Sequence, residues 1–335
     1  MDEKKTEVKK KKSVWKLIVG FLIFEIIFTG VTAPLIIFHG PFENVKRTIV
    51  GAAMTTLSHQ YVAKMFLSDD EINKILEGNF VETIAQQDNS DVKIENKHDS
   101  NIEREEISDG KKFKGYMLIV HDPSRIKVGS SSKLGVEGEL TSQIAKKNHA
   151  VAAINGGGFT DSSSGDSKWT GTGGKPVGIL MSDGKILYND VQNENEKVDV
   201  MAMTKKGVLL VGPHSLQDLK SQEVTDAISF GPAIVVNGKG TIKSGDGGWG
   251  IAPRTAIGQR KDGAILLLVI DGRQTKSVGA TLKDVQNIML QYDAVNATNL
   301  DGGSSSTMYY EDEIINNPCD PLGERSVPSA VYVKP

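Results

Sequence analysis

Four short segments carry side chains able to do chemistry on an anion. "NLDGGSSST" places one carboxylate, Asp301, ahead of Gly302, Gly303 and the hydroxyls of Ser304 and Ser305. "VIDGR" places Asp271 two residues before Arg273, "APRTAIG" sets Arg254 beside Thr255, and "INGGGF" sets Asn155 four residues before Phe159. Each polar residue adjoins an apolar stretch that reads as a buried strand. Strands that release Asn, Asp and Arg into glycine-rich turns are a common way to build a cleft. Glycine lets backbone N–H groups point at an anion and serine hydroxyls add donors, so "DGGSSS" reads as an oxyanion- or phosphate-binding nest. Arg254 and Arg273 offer bidentate grip on a phosphate.

Other chemistries fit less well. A serine hydrolase built on Ser304–Ser306 needs a histidine partner. His121, His149 and His214 stand in turn or helix-end contexts outside these segments, and the Gly-x-Ser-x-Gly elbow is absent. Oxygen ligands suited to Ca2+ occur in "TDSSSGDS" (160–167) and "KSGDGGWG" (243–250), neither with EF-hand spacing. No cofactor is required; Ca2+ is allowed, with no residue assigned to it, and solvated loops are the simpler reading.

These segments need a sheet to position them. "KGYMLIVHDPSRIKVGSS" reads as two strands around an "HDPS" turn, and "VAAIN" as a fully buried strand. "GILMSDGKILY" is a hairpin with Asp183-Gly184 at its tip, and "RTAIGQRKDGAILLLVIDG" another with Asp262-Gly263. "LTSQIAKKNHA" reads as a short amphipathic helix capped by Thr141. "TLKDVQNIMLQY" is a longer one, capped by Thr281 and apolar at Leu282, Val285, Ile288 and Met289. The fold class is therefore α+β, a mixed, largely antiparallel β-sheet with a few packed helices. The 35 glycines in 335 residues suit a turn-rich sheet protein.

The N-terminal third has a different character. The first twelve residues hold six lysines against three acids, leaving the rest of a chain of net charge -3 at -6, so the body carries no basic footprint for nucleic acid. Residues 14–38 are apolar except for Lys16 and Glu25, long enough at about 20 helical residues per bilayer to be a transmembrane helix. The lysines predict that its N-terminal end stays cytoplasmic and that the C-terminal domain is extracellular. Residues 1–13 are then a cytoplasmic tail, 14–38 a retained single-pass anchor in the cell membrane, and 39–110 a helical stalk and polar linker. "SDDE" at 68–71 signals a helix start. The single cysteine, Cys319, excludes an internal disulfide framework.

"INGGGF", "APRTAIG", "VIDGRQTKSVGATLKDVQNIM" and "ATNLDGGSSSTM", in that order, resemble the signature segments of the phosphodiester glycosidase domain family. The resemblance covers 111–335 and implies hydrolysis of a sugar-1-phosphodiester at the anomeric carbon, with a glycan or sugar-phosphate as partner. It places Asp301, Asp271, Arg254 and Asn155 in catalytic positions. Arg273, Thr255, Gly302, Gly303, Ser304, Ser305 and Phe159 fall on substrate-binding ones. A phosphate monoester is a good leaving group, so the arginines would supply much of the effect electrostatically while a carboxylate activates water or attacks. A non-catalytic glycan-binding protein on the same fold is the alternative.

Overall fold

The computed structural model describes residues 14–54, 60–86, 92–94, 99–110, 112–160 and 173–335. Four helices come first: α1 (Val14–His39), α2 (Glu43–Met54), α3 (Tyr61–Lys64) and α4 (Asp69–Glu77). Strands β1 (Ile102–Ser108), β2 (Lys114–Val120) and β3 (Ile126–Ser130) lead into α5 (Thr141–Lys147) and β4 (Ala152–Asn155). Two hairpins come after them, β5 (Ile179–Ser182) with β6 (Lys185–Asn189) and β7 (Val198–Thr204) with β8 (Leu209–His214). Next come α6 (Leu216–Ser221), β9 (Val224–Ser229), β10 (Ala233–Val236) and β11 (Lys239–Gly240). The chain closes with β12 (Arg254–Arg260), β13 (Ile265–Ile270), α7 (Leu282–Gln291), β14 (Ala294–Leu300), β15 (Met308–Tyr310), β16 (Glu313–Ile314) and β17 (Ser329–Val333).

Three sheets share one core. The order is β1-β2-β13-β12-β14-β10-β11 in the largest, β8-β7-β9-β5-β6 in the second and β16-β15-β4-β17-β3 in the third, with every pair antiparallel. Leu267 and Val269 of β13 meet Ile154, Val331, Met201 and Ile228 of the other two sheets in the shared centre. The opposite face of β13, at Leu266, Leu268 and Ile270, packs beneath Leu282, Val285 and Met289 of α7. Buried on both faces, β13 reads "ILLLVI" without alternation. Each outer face carries its own helix: α7, α6 (Leu216, Leu219) and α5 (Ile144, Ala145).

Local signals explain the helix ends, with one correction. Thr281 and Asp284 form a reciprocal capping box at α7, and Ser68 and Glu71 form one at α4. Thr141 is not the cap of α5 but its first, fully buried residue. The exposed donors there go to a distant acid instead, since Glu324 accepts from the Ser142 amide (2.9 Å) and hydroxyl (2.6 Å).

A second correction concerns the linker. Residues 102–108 form the edge strand β1, paired residue for residue with β2 over Ile102–Ser108. Their charged "IEREEIS" lacks the apolar alternation of a half-buried strand because both faces stay largely open to solvent. Upstream, Gln86 bonds the Leu209 carbonyl and the Val211 amide, Lys93 reaches the Lys261 carbonyl, and Val81 bridges Ile242. The described residues at 81–86, 92–94 and 102–108 are laid along the domain rather than strung between two bodies.

Helix α1 has 26 residues and a mean hydropathy of 2.2 over its most apolar window. At 1.5 Å per residue it is about 39 Å long, enough by length and composition to cross a membrane. Its last turn is not loose. Phe38 is buried with Val50, Ala53, Ala63, Leu67 and Ile72 of the next three helices and stacks on Phe66 at 5.0 Å between ring centres.

Candidate active site

Antiparallel pairing explains why the four signature segments meet. In the large sheet Arg254 lies opposite Ile270, and Thr255 opposite Leu300, so the start of β12 and the ends of β13 and β14 share one rim. Strand β13 is apolar throughout, with Asp271 the first residue past its end, and Asp301 likewise follows directly on β14. Asn155, at the end of β4, belongs to the third sheet and ties it to this rim. Its Oδ1 accepts from Thr255 Oγ1 (2.7 Å) and the Thr307 amide (3.1 Å), and its Nδ2 donates to the Asp301 carbonyl (2.6 Å). Both Asn155 and Thr255 are fully buried, so their geometry is that of a brace beneath the site.

The two Asp-Gly turns close on the backbone of Pro253. A Cβ on Gly272 would sit 2.6 Å from the Pro253 nitrogen, and one on Gly302 would sit 2.8 Å from its carbonyl oxygen. No side chain fits there, which is why glycine follows each aspartate. Behind them Arg254 is buried, 3% exposed, with no carboxylate among the described residues in hydrogen-bond contact. Its Nε donates to the Ala280 carbonyl (3.0 Å) and its Nη2 to those of Trp249 (2.9 Å) and Gly250 (2.6 Å). Burial lowers its pKa to about 10, so it stays charged at neutral pH.

Asp271 is 6% exposed. Its Oδ1 accepts from Asn316 Nδ2 (3.1 Å) and the Asn317 amide (2.9 Å), and its backbone carbonyl accepts from Ser277 (2.6 Å). Burial pushes its carboxyl above the ordinary carboxylate range, partly opposed by those two donors. Asp301 is half-buried, and its Oδ1 accepts from the Gly302 amide (3.0 Å). Two carboxylates therefore stand at one rim in different surroundings.

The glycine-serine turn corrects the nest expected from its composition. Four of the five amides from Gly302 to Ser306 are already used: Gly302 on Asp301, Gly303 on the Pro253 carbonyl (3.0 Å), and Ser305 and Ser306 on the carbonyls of Gly302 and Gly303. Thr307 donates to Asn155, and Ser306 and Thr307 are buried. What surrounds the turn is cationic instead. Arg273 takes a left-handed backbone (φ 57°) that lays its guanidinium over Gly303, where a Cβ would lie 3.3 Å from Nη2. Arg325, which the segments did not reveal, donates from Nη1 to Ser304 Oγ (3.3 Å) and rests over the Phe159 ring at 5.2 Å. Phe159 is thus a platform for a guanidinium, seated among Ile144, Val327 and Ala330. Glu324, fixed on the start of α5, holds the loop that delivers Arg325. Phe230 and Trp249 (T-shaped, 5.8 Å) add an aromatic edge that runs from Gly158 to the Arg254 loop. No composition signal marks Arg325, because "GERSVP" reads as an ordinary surface loop.

The alternative chemistries gain nothing from the geometry. His121 bonds Glu103 and His214 bonds the Gly212 carbonyl, both away from the serines. Asp246 accepts from the Gly248 amide within its own loop (2.8 Å). Among the described residues no group of three His, Cys, Asp or Glu side chains is placed to hold a metal ion, and residues 161–167 of the first calcium-compatible segment lie outside them.

The phosphodiester glycosidase family model matches residues 148–334, more than half of the sequence. The chain belongs to the phosphodiester glycosidase family. The catalytic domain of zebrafish N-acetylglucosamine-1-phosphodiester alpha-N-acetylglucosaminidase, solved in a form auto-inhibited by its pro-peptide, superposes with a TM-score of 0.55 at 25% identity. That superposition covers 77% of this chain and 88% of the zebrafish domain. A Burkholderia pseudomallei protein of known structure shares the fold at a TM-score of 0.51, 17% identity, and 67% and 74% coverage. In sequence, the SPbeta prophage-derived protein YomE of Bacillus subtilis is 28% identical over 214 residues, 62% of this chain and 30% of YomE. The bovine N-acetylglucosamine-1-phosphodiester alpha-N-acetylglucosaminidase is 40% identical over 70 residues, 21% of this chain and 13% of the enzyme. The chain thus spans under a third of the length of these curated relatives.

Proposed function

We propose that this protein is a membrane-anchored hydrolase that cleaves a sugar-1-phosphodiester in glycans outside the cytoplasm, with α1 as a single-pass anchor and its N-terminal end cytoplasmic. The observation that carries the reading is the meeting of Asp271, Asp301, Arg254, Arg273 and Arg325 at one rim. Family membership and the names of the metazoan relatives support the reaction type. Cell-envelope or exopolysaccharide glycans are the substrates that an outward-facing anchor makes accessible.

The chemistry rests on charge. A phosphodiester carries one negative charge, and further charge builds on the departing oxygen as the anomeric bond breaks, until a proton reaches it. Fixed guanidiniums stabilise that gain without reorganising, and Arg254 does so from a buried position where its field is least screened. Arg273 and Arg325, with Ser304 between them, hold the phosphate. Asp301, with one oxygen held by the Gly302 amide, acts on the anomeric carbon, either activating water or attacking it. Asp271, raised by burial, is suited to pass a proton to the departing oxygen. Asn155 and Thr255 keep the two sheets in register beneath these groups.

The test is release of free sugar from a panel of sugar-1-phosphodiesters by the detergent-solubilised full chain, beside Asp301→Asn and Arg273→Ala. Turnover that falls at least 100-fold in Asp301→Asn supports the assignment, within the 10² to 10⁴ expected of a general acid or base. Glycan binding without turnover in all three proteins would replace it with the binding-module reading.

A further inference from the structure

The helices between α1 and the catalytic domain are not a tether. Helix α2 meets the Gly248–Gly250 loop backbone to backbone. A Cβ on Gly51 would lie 2.7 Å from the Gly248 carbonyl oxygen, and one on Gly250 would lie 2.4 Å from the Thr48 carbonyl oxygen. Just beyond α4, Asn79 Oδ1 accepts from the Asp246 amide (3.1 Å), the Lys243 amide donates to the Phe80 carbonyl (3.0 Å), and the Glu82 amide donates to the Thr241 carbonyl (2.8 Å). With Phe38 of α1 inside the same helical cluster, the anchor and the domain are joined at both ends of the neck.

The loop that α2 touches is the one whose Trp249 and Gly250 carbonyls hold Arg254. This bounds the height of the site. Four chain steps from His39 to Glu43 span at most about 15 Å, and the rise along α2 to Gly51 adds about 12 Å. With the direct contacts beyond, the Arg254 guanidinium lies within about 35 Å of the outer end of α1. With α1 spanning the bilayer as proposed above, its length of about 39 Å exceeds the hydrocarbon core of about 30 Å, so that end emerges at the surface.

We propose that the substrate is a membrane-attached glycan, one whose sugar-1-phosphodiester is carried on a lipid and so presented within a few tens of ångströms of the bilayer. This rests on the hydrolase reading above and adds to it where the scissile bond must be. A flexible stalk would let the domain sweep a deep shell of substrates. A neck packed on the active-site loop instead holds the site at one level.

The experiment places the full chain in phosphatidylcholine–phosphatidylglycerol vesicles with two substrates sharing one sugar-1-phosphate, esterified either to diacylglycerol in the same bilayer or to free glycerol. Confinement to one surface raises effective concentration, so kcat/KM on the lipid-borne diester should exceed that on the soluble one at least ~10-fold. A variant with four Glu-Ala-Ala-Ala-Lys units inserted between Gly40 and Pro41 lifts the domain by about 30 Å. It should lose that advantage while turning over the glycerol diester within ~2-fold of wild type, which also shows that it is folded. Equal wild-type rates on the two substrates, or an advantage that survives the insertion, overturns the proposal and leaves the hydrolase reading standing. Absence of turnover on both overturns the two together.

Discussion

Strand β13 runs between two Asp-Gly turns, and they have opposite fates. At one end Asp262 is exposed, pairs with Arg260 at 2.7 Å and accepts from the Ala264 amide two residues on, so its charge is settled locally and in water. At the other end Asp271 is buried, takes its donors from Asn316 and Asn317 some 45 residues away, and is followed by a glycine wedged on Pro253. The dipeptide is the same. What differs is which distant segments arrive, and that decides whether an aspartate is a hairpin tip or a buried acid with a raised pKa.

The largest effect separating the two ends should be catalytic. Asp271→Asn is expected to lower kcat/KM for a sugar-1-phosphodiester by about 10² to 10⁴, whereas Asp262→Asn should leave it within ~2-fold, its ion pair being exposed. A comparable loss in Asp262→Asn would break the comparison. Next comes packing. Gly272→Ala drives a methyl into the Pro253 nitrogen and should cost about 1 to 3 kcal/mol, read as a lower urea midpoint. Asp262→Ala, at the exposed end, gives up one surface ion pair and should cost under ~1 kcal/mol.

Smaller still is the contribution of the loop that sequence did not flag. Arg325→Ala should raise KM about 10-fold, or about 1.4 kcal/mol, with kcat moving less. Arg260→Ala should alter neither constant in the same steady-state assay. The smallest effect concerns pH and stability. Because folding raises the Asp271 pKa, the folded chain binds the proton more tightly than the unfolded one. The stability this supplies is complete below the unfolded value of about 4 and is lost as pH rises through the folded value. Asp271→Asn should therefore melt above wild type at neutral pH, and the gain in Tm should shrink as pH is lowered toward 4.

Much of the rim was legible because Asn155 and Asp271 end apolar runs while Arg254 opens one strand and Asp301 follows another, and antiparallel pairing then brings those strand ends together. Three things were not legible, each for a physical reason. Strand β1 is solvated on both faces, so only its pairing with β2 reveals it. The turn at 302–306 has the composition of an anion nest, but four of its five amides go to the Asp301 side chain, the Pro253 carbonyl and the turn's own carbonyls, which composition cannot show. Arg325 reaches the site through Glu324 on α5 and the face of Phe159, contacts between segments more than 150 residues apart.

The position of β17 has a consequence for how the chain is made. It lies between β3 and β4, with Val331 opposite both Val128 and Ile154. Strand β3 meets its partner only after roughly 200 further residues, and β4 meets its first, β15, only after about 155, and closing such large loops is slow. Until then Val128 and Ile154, fully buried in the finished core, sit on unpaired edges that invite association with other chains. The third sheet therefore cannot close stepwise behind the ribosome, and its assembly waits for the last strand of the domain.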